Sequence, residues 1–177
     1  MELTISRLKL RSWKDSDLAA FARMNGDPRV MEYYPRLLSR NESDALAGKI
    51  REDLNRNGYG LWALEAPGLS DFVGYTGLSR PDWEAAFTPC VEIGWRLDAQ
   101  VWGRGYAPEA ARRVLDFAFG ELALTEVLSF TARVNQRSIR VMEKIGMRKD
   151  ARGDFDHPRL APGHPLRPHV LYRAGQP

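Results

Sequence analysis

The chain has little of what marks a secreted, membrane-bound or metal-held protein. It has one cysteine, Cys90, which excludes an internal disulfide and leads us to expect a reducing compartment, the cytoplasm by default. No stretch approaches the roughly twenty apolar residues of a membrane-spanning helix, so no membrane partner is expected. The opening MELTISRLKLRSWKDSD alternates apolar and charged residues and has no apolar signal-peptide core. The three histidines, His157, His164 and His169, lack helical or CxxC spacing, so no metal is expected either. No internal repeat, low-complexity tract or linker interrupts the 177 residues.

What is present is ordinary for a globular chain: 44% hydrophobic and 28% charged residues, enough for one domain over 1–177 with its own core. Charge is uneven. Residues 133–177 hold ten Lys and Arg against four acids, a net of +6, which leaves −3 for the rest of a chain whose total is +3. Such a basic end fits an anionic partner, a phosphorylated small ligand or nucleic acid, or simply a solvated surface. Its arginines are not interleaved with aromatics as in RNA-binding surfaces, so no direct nucleic-acid partner is expected.

Periodicity predicts the elements. LTISRLKLRSW reads as an opening strand, and Asp15 or Ser16 is placed to cap a short helix through Met24. SRNE (Ser39–Glu42) matches a capping box, predicting a helix to about Asn57. GLWALEA and DFVGYTGL form a hairpin across PGLS, and VEIGWRL alternates as a half-buried strand with Glu92, Gly94 and Arg96 on its polar face. Ala107, Ala110, Ala111, Val114, Leu115, Ala118, Phe119 and Leu122 keep helical spacing. EVLSFTARV is a further strand, followed by a helix from Asn135 to about Ile145 and a last strand near His169–Ala174. The expected class is α+β, a mixed, mainly antiparallel sheet flanked by helices.

The most informative stretch is QVWGRGYAPEA. Gly103 and Gly105 stand at the mouth of the long helix with Pro108 in its first turn, where a missing N–H costs nothing. Bare backbone at a helix N-terminus suits a pyrophosphate, while positive φ in a tight strand-to-helix turn explains the same glycines. The P-loop pattern G-x-x-x-x-G-K-[ST] is absent, and no third glycine follows Gly105 at dinucleotide-fingerprint spacing.

Q-x-x-G-x-G from Gln100 to Gly105, behind VEIGWRL and ahead of an Ala-rich helix, resembles the acetyl-CoA loop of the GNAT N-acetyltransferases. NQRSIRVMEKIGM is similar to that superfamily's second block, in the branch of the ribosomal-protein N-terminal acetyltransferases. RLKLRSW, the following DL and DPRVMEYYP also match that branch, so the resemblance spans nearly the whole chain. It implies a GNAT fold and an enzyme that moves acetyl from acetyl-CoA to a primary amine by direct attack through a tetrahedral intermediate.

The resemblance also implies roles. The strand through Trp95, Arg96 and Leu97 would hold the pantetheine arm through its backbone. The pyrophosphate would lie on the N–H groups of Gly103, Arg104, Gly105, Tyr106 and Ala107, with Gln100 opening the loop. Asn135 would bind the cofactor arm, although Asn is also a good helix N-cap. Arg104, Arg137, Arg140 and Lys144 are candidates for the adenosine-side phosphates. Glu92 is the candidate general base or an exposed strand carboxylate; Ser138 is the candidate proton donor to the thiolate or an ordinary first-turn serine. Tyr33, Tyr34 and Trp83 either line the acceptor cleft or cover the core, and the tail histidines either shape a loop or border that cleft. Cys90 has no neighbouring histidine in sequence to activate it and receives no role. The acceptor is a small amine or a protein N-terminus, and the assembly a monomer or homodimer. The rival functions are an acyl-CoA-binding module or a ribosome- or RNA-binding module on the same fold without turnover.

Overall fold

The computed structural model describes residues 2–175. Its opening is a hairpin where one strand was expected: β1 (Leu3–Thr4) pairs antiparallel with β2 (Lys9–Arg11), Leu3 opposite Leu10. The chain reverses at Ser6–Arg7, closed by the Ile5 N–H on the Leu8 carbonyl at 3.0 Å. Arg7 faces outward from this turn and is bonded to Glu109 and to the Arg104 carbonyl, while Leu8 and Leu10 are fully buried.

Helix α1 spans Asp17–Asn25. Ser16 occupies its N-cap position, but its side chain caps nothing, contrary to the expectation for Asp15 or Ser16. Asp17 carries the junction instead. It accepts the Lys14 N–H at 2.8 Å and takes both ends of the Arg11 guanidinium, at 2.8 and 2.9 Å. Arg11 also reaches Glu65 at 2.8 Å, so one buried cation ties β2 and α1 to the strand that carries Glu65. The desolvation of that cation is offset only while these bonds are intact. Helix α2 (Arg40–Asn57) starts in the capping box read from SRNE, with Ser39 and Glu42 bonded reciprocally, and stops at Gly58 with φ +72°.

The remaining strands are β3 (Leu61–Ala66), β4 (Ser70–Ser79), β5 (Glu92–Leu97), β6 (Glu126–Ala132), β7 (Arg148–Lys149), β8 (Phe155–Asp156) and β9 (Pro168–Gly175). They form one mixed sheet in the order β1-β2-β3-β4-β5-β6-β9-β7, with β8 also on β9. The two short strands β7 and β8 were not expected; too short to show periodicity, they exist only because β9 offers an edge. All pairings are antiparallel except β5 with β6. Helix α3 (Tyr106–Gly120) packs on β4, β5 and β6, and α4 (Gln136–Lys144) on α3 and β6. Small residues allow the close approach of α3: Ala110, Ala111 and Ala118 are fully buried. Phe117, absent from the predicted stripe, is buried too and meets Trp62 edge-on at 5.4 Å. Among the described residues no helix is long and apolar enough to cross a membrane.

Candidate active site

The site begins where the sheet comes apart. Strands β5 and β6 are paired only at Glu92 and Leu128, extended by the Leu128 N–H on the Val91 carbonyl at 2.9 Å. One residue further, the Ser129 hydroxyl rather than a backbone N–H reaches the Ile93 carbonyl, at 3.0 Å. Backbone polar groups alternate in direction along a strand, so the N–H and C=O of Trp95, like those of Ile93, face the β6 side. There β6 has already moved away, while β4 continues to pair with β5 as far as Leu97. The opening holds two cavities of about 340 and 380 Å³, which share Tyr33, Tyr34, Trp95, Arg96, Asn135 and Ser138 as their common wall.

The first cavity runs from Trp95 to the mouth of α3. Gly103 and Gly105 have φ of +78° and +80°, so the turn itself calls for glycine. Crowding does not: a Cβ at Gly103 would meet nothing within 4 Å, and one at Gly105 only Arg7 Nη2 at 3.5 Å. The space over the loop is therefore open. Among the described residues nothing accepts from the N–H groups of residues 103 to 107, which gather at the positive end of a 15-residue helix. These donors fit a pyrophosphate. Arg137, Arg140 and Lys144 line the same cavity. Arg137 lies over Trp102 at 4.4 Å and is paired with Glu32. Gln100 and the Arg104 side chain are exposed and line neither cavity, so only the Arg104 backbone belongs to the cradle.

Asn135 and Ser138 stand between the cavities. Asn135 caps α4, its Oδ1 accepting the Ser138 N–H at 3.2 Å, and its Nδ2 donates to Thr131 Oγ1 at 2.9 Å and Ser138 Oγ at 3.1 Å. The cap reading of Asn135 is thus correct, and the residue still faces both cavities. Met142 and Ile145 are buried behind them. Glu92 lines the second cavity, where the Ser79 hydroxyl donates to its Oε1 at 2.8 Å. Burial pushes its carboxyl above the ordinary carboxylate range, which makes it a stronger proton acceptor than a surface glutamate.

Comparison with known proteins agrees with this geometry. Residues 7–148 match the model of the acetyltransferase (GNAT) domain. The chain belongs to the GNAT acetyltransferase family. It is 35% identical over 149 residues to the uncharacterized protein YkkB of Bacillus subtilis, covering 82% of this chain and 84% of that one. A GNAT-family acetyltransferase structure from Bacillus anthracis superposes with a TM-score of 0.79 at 25% identity, covering 99% and 98% of the two chains. The fold is also that of RimL, a ribosomal L7/L12 alpha-N-protein acetyltransferase solved with coenzyme A, with a TM-score of 0.79 at 14% identity over 99% and 98%.

For other residues of this GNAT acetyltransferase the structure chooses between the alternatives. Trp83 lines neither cavity. It is packed in an aromatic cluster, stacked on Phe155 at 5.8 Å and edge-on to Phe130 at 5.3 Å. It supports Phe130 and His157, which do line the second cavity, because β8 and the tail fold over the strand ends. His157 and His169 border that cavity with rings 4.9 Å apart, and burial holds His157 down to about 4 and so uncharged at neutral pH. No group of three metal-ligating side chains forms among the described residues. Burial pushes the Cys90 thiol up to about 11, away from thiolate character. The Arg96 side chain was missed altogether. Its signal was a lone arginine on the same strand face as Glu92 and Gly94.

Proposed function

We propose that the protein transfers the acetyl group of acetyl-CoA to a primary amine, with donor and acceptor meeting at Trp95. The observation that carries this reading is the pair of cavities joined at one unpaired strand edge, a row of anion-seeking N–H groups on one side and a half-buried carboxylate on the other. In the first cavity the loop N–H groups hold the pyrophosphate, and Arg137, Arg140 and Lys144 draw the adenosine-side phosphates. The Trp95 backbone aligns the pantetheine arm, and its N–H faces the oxygen that gains charge during attack. Glu92 takes the proton from the attacking amine, directly or through water, as the new C–N bond forms. Ser138 gives its proton to the sulfur as the C–S bond breaks. Holding both reactants across one opening is itself a large part of the acceleration. The single, partly buried Cys90 suits a reducing compartment such as the cytoplasm.

The test is release of free thiol when the protein is mixed with acetyl-CoA and a panel of amines, together with melting curves. Acetyl-CoA should raise the melting temperature by several degrees, about 2.7 kcal/mol of stabilisation at a hundredfold excess over Kd. A raised melting temperature without thiol release from any amine would favour a binding module. The absence of both effects at millimolar acetyl-CoA would overturn the reading.

A further inference from the structure

Arg96 is 8% exposed and forms no ion pair among the described residues. Its Nη1 donates to Asn25 Oδ1 at 2.7 Å, and its guanidinium lies on the Tyr34 ring at 3.9 Å and near the Tyr75 ring at 5.5 Å. Its Nε is buried without a partner. The other buried arginine, Arg11, shows what this fold ordinarily does with such a charge, since it has two carboxylates around it. An amide oxygen and two neutral rings only partly replace the hydration a guanidinium loses, so a buried cation of this kind is incomplete without an anion.

The charge is also placed to meet a ligand. Arg96 borders both cavities, but Tyr75, which flanks its guanidinium, lines only the second, on the acceptor side. Glu92, Gly94 and Arg96 share one strand face, and a Cβ at Gly94 would meet nothing within 4 Å, so the ground between carboxylate and guanidinium is open. Glu92 is the sole acid lining that cavity, whose other walls mix aromatic, aliphatic and uncharged polar side chains with a second arginine, Arg159. A polycation such as a polyamine finds no row of acids there.

We propose that Arg96 binds a carboxylate on the acceptor, so that the substrate is a small amino-acid-like molecule whose amine points toward Glu92. This rests on the acetyl-transfer reading above and narrows its acceptor. A protein N-terminus, which carries no carboxylate next to its amine, is the competing acceptor.

The test uses binding, which does not require turnover. With CoA bound, the N-acetyl derivatives of glycine, leucine and phenylalanine are each compared with their carboxamides by tryptophan fluorescence. At least one acid should bind tenfold or more tightly than its amide. Arg96→Gln should abolish that preference. Arg96→Lys, which keeps the charge, should retain part of it. CoA affinity and a cooperative melt should be kept in both variants. Equal binding of acid and amide in every pair, or no binding of any of them to a protein that binds CoA, overturns the proposal. So does a loss of CoA affinity in Arg96→Lys matching its loss of acid affinity, because Arg96 then serves the cofactor side. A protein that fails to bind CoA at all refutes the acetyl-transfer reading itself, a result these comparisons keep separate.

Discussion

Glu92→Gln should produce an enzyme that is slower and at the same time more stable, and the two effects should follow pH in opposite ways. The side chain is half-buried, and the solvation it loses raises its carboxyl above the ordinary range. The folded state therefore holds the proton more tightly than the unfolded chain does. The ionised carboxylate thus penalises folding at neutral pH, and the penalty disappears below the carboxyl's unfolded value, about 4.3. Glutamine keeps an acceptor for the Ser79 hydroxyl, which now lies 2.8 Å from Glu92 Oε1, and removes only the charge. A gain of about 1 kcal/mol at neutral pH is expected, or roughly 2–4 °C in melting temperature for a chain of this size. Loss of a general base lowers kcat/KM by about 10²–10⁴, equivalent to about 3–5 kcal/mol in the barrier. In the wild type kcat/KM should fall as pH drops through the raised pKa of Glu92. The variant should lack that limb and recover as pH approaches the amine's own pKa, about 8–10. Thiol release from pH 5 to 10, with melting curves at about pH 3.5 and at about pH 8, measures both effects. A uniform rate loss at every pH, without a stability gain that fades as pH falls toward the unfolded carboxyl value, would refute the base assignment and leave Glu92 a positioning residue.

Ser138→Ala should lower turnover about ten- to a thousandfold with little change in melting temperature, because Asn135 Nδ2 keeps its bond to Thr131. A donor thioester with a low-pKa leaving thiol should restore the rate; equal slowness with both donors would reduce Ser138 to packing. Gly105→Asn keeps the left-handed turn, since Asn tolerates the φ of +80°, and should cost at most about 1 kcal/mol. It should still weaken CoA at least tenfold by calorimetry, because a side chain now crowds the N–H groups; unchanged affinity would make the glycine a turn residue only. Asp17→Ala leaves the Arg11 charge buried and short of its main partner, and should cost about 3–5 kcal/mol. The midpoint of a urea titration reads this directly.

What the sequence determined by itself is what nearby residues settle among themselves. The capping box of Ser39 and Glu42, the α3 stripe, the Gly103–Gly105 turn and the α4 face through Asn135 and Met142 all depend on contacts three to seven positions apart. Such contacts are visible in a linear pattern, as was the match to the acetyl-CoA loop. The tertiary structure decided the rest, because the deciding contacts lie far apart in the chain. How far Glu92 is shielded from solvent depends on Ser79, thirteen positions away, and on where β6 leaves β5. Trp83 could not be assigned to core or cleft until β8 delivered Phe155 to it. The turn of the opening hairpin is held to α3 by Arg7 and Glu109, 102 positions apart. Arg96 carries meaning only once Asn25, Tyr34 and Tyr75 surround it without an acid. Alternation along β5 put its side chain on the polar face. Burial without a counter-ion, which turns that arginine toward a ligand, is a property of the assembled sheet and helices.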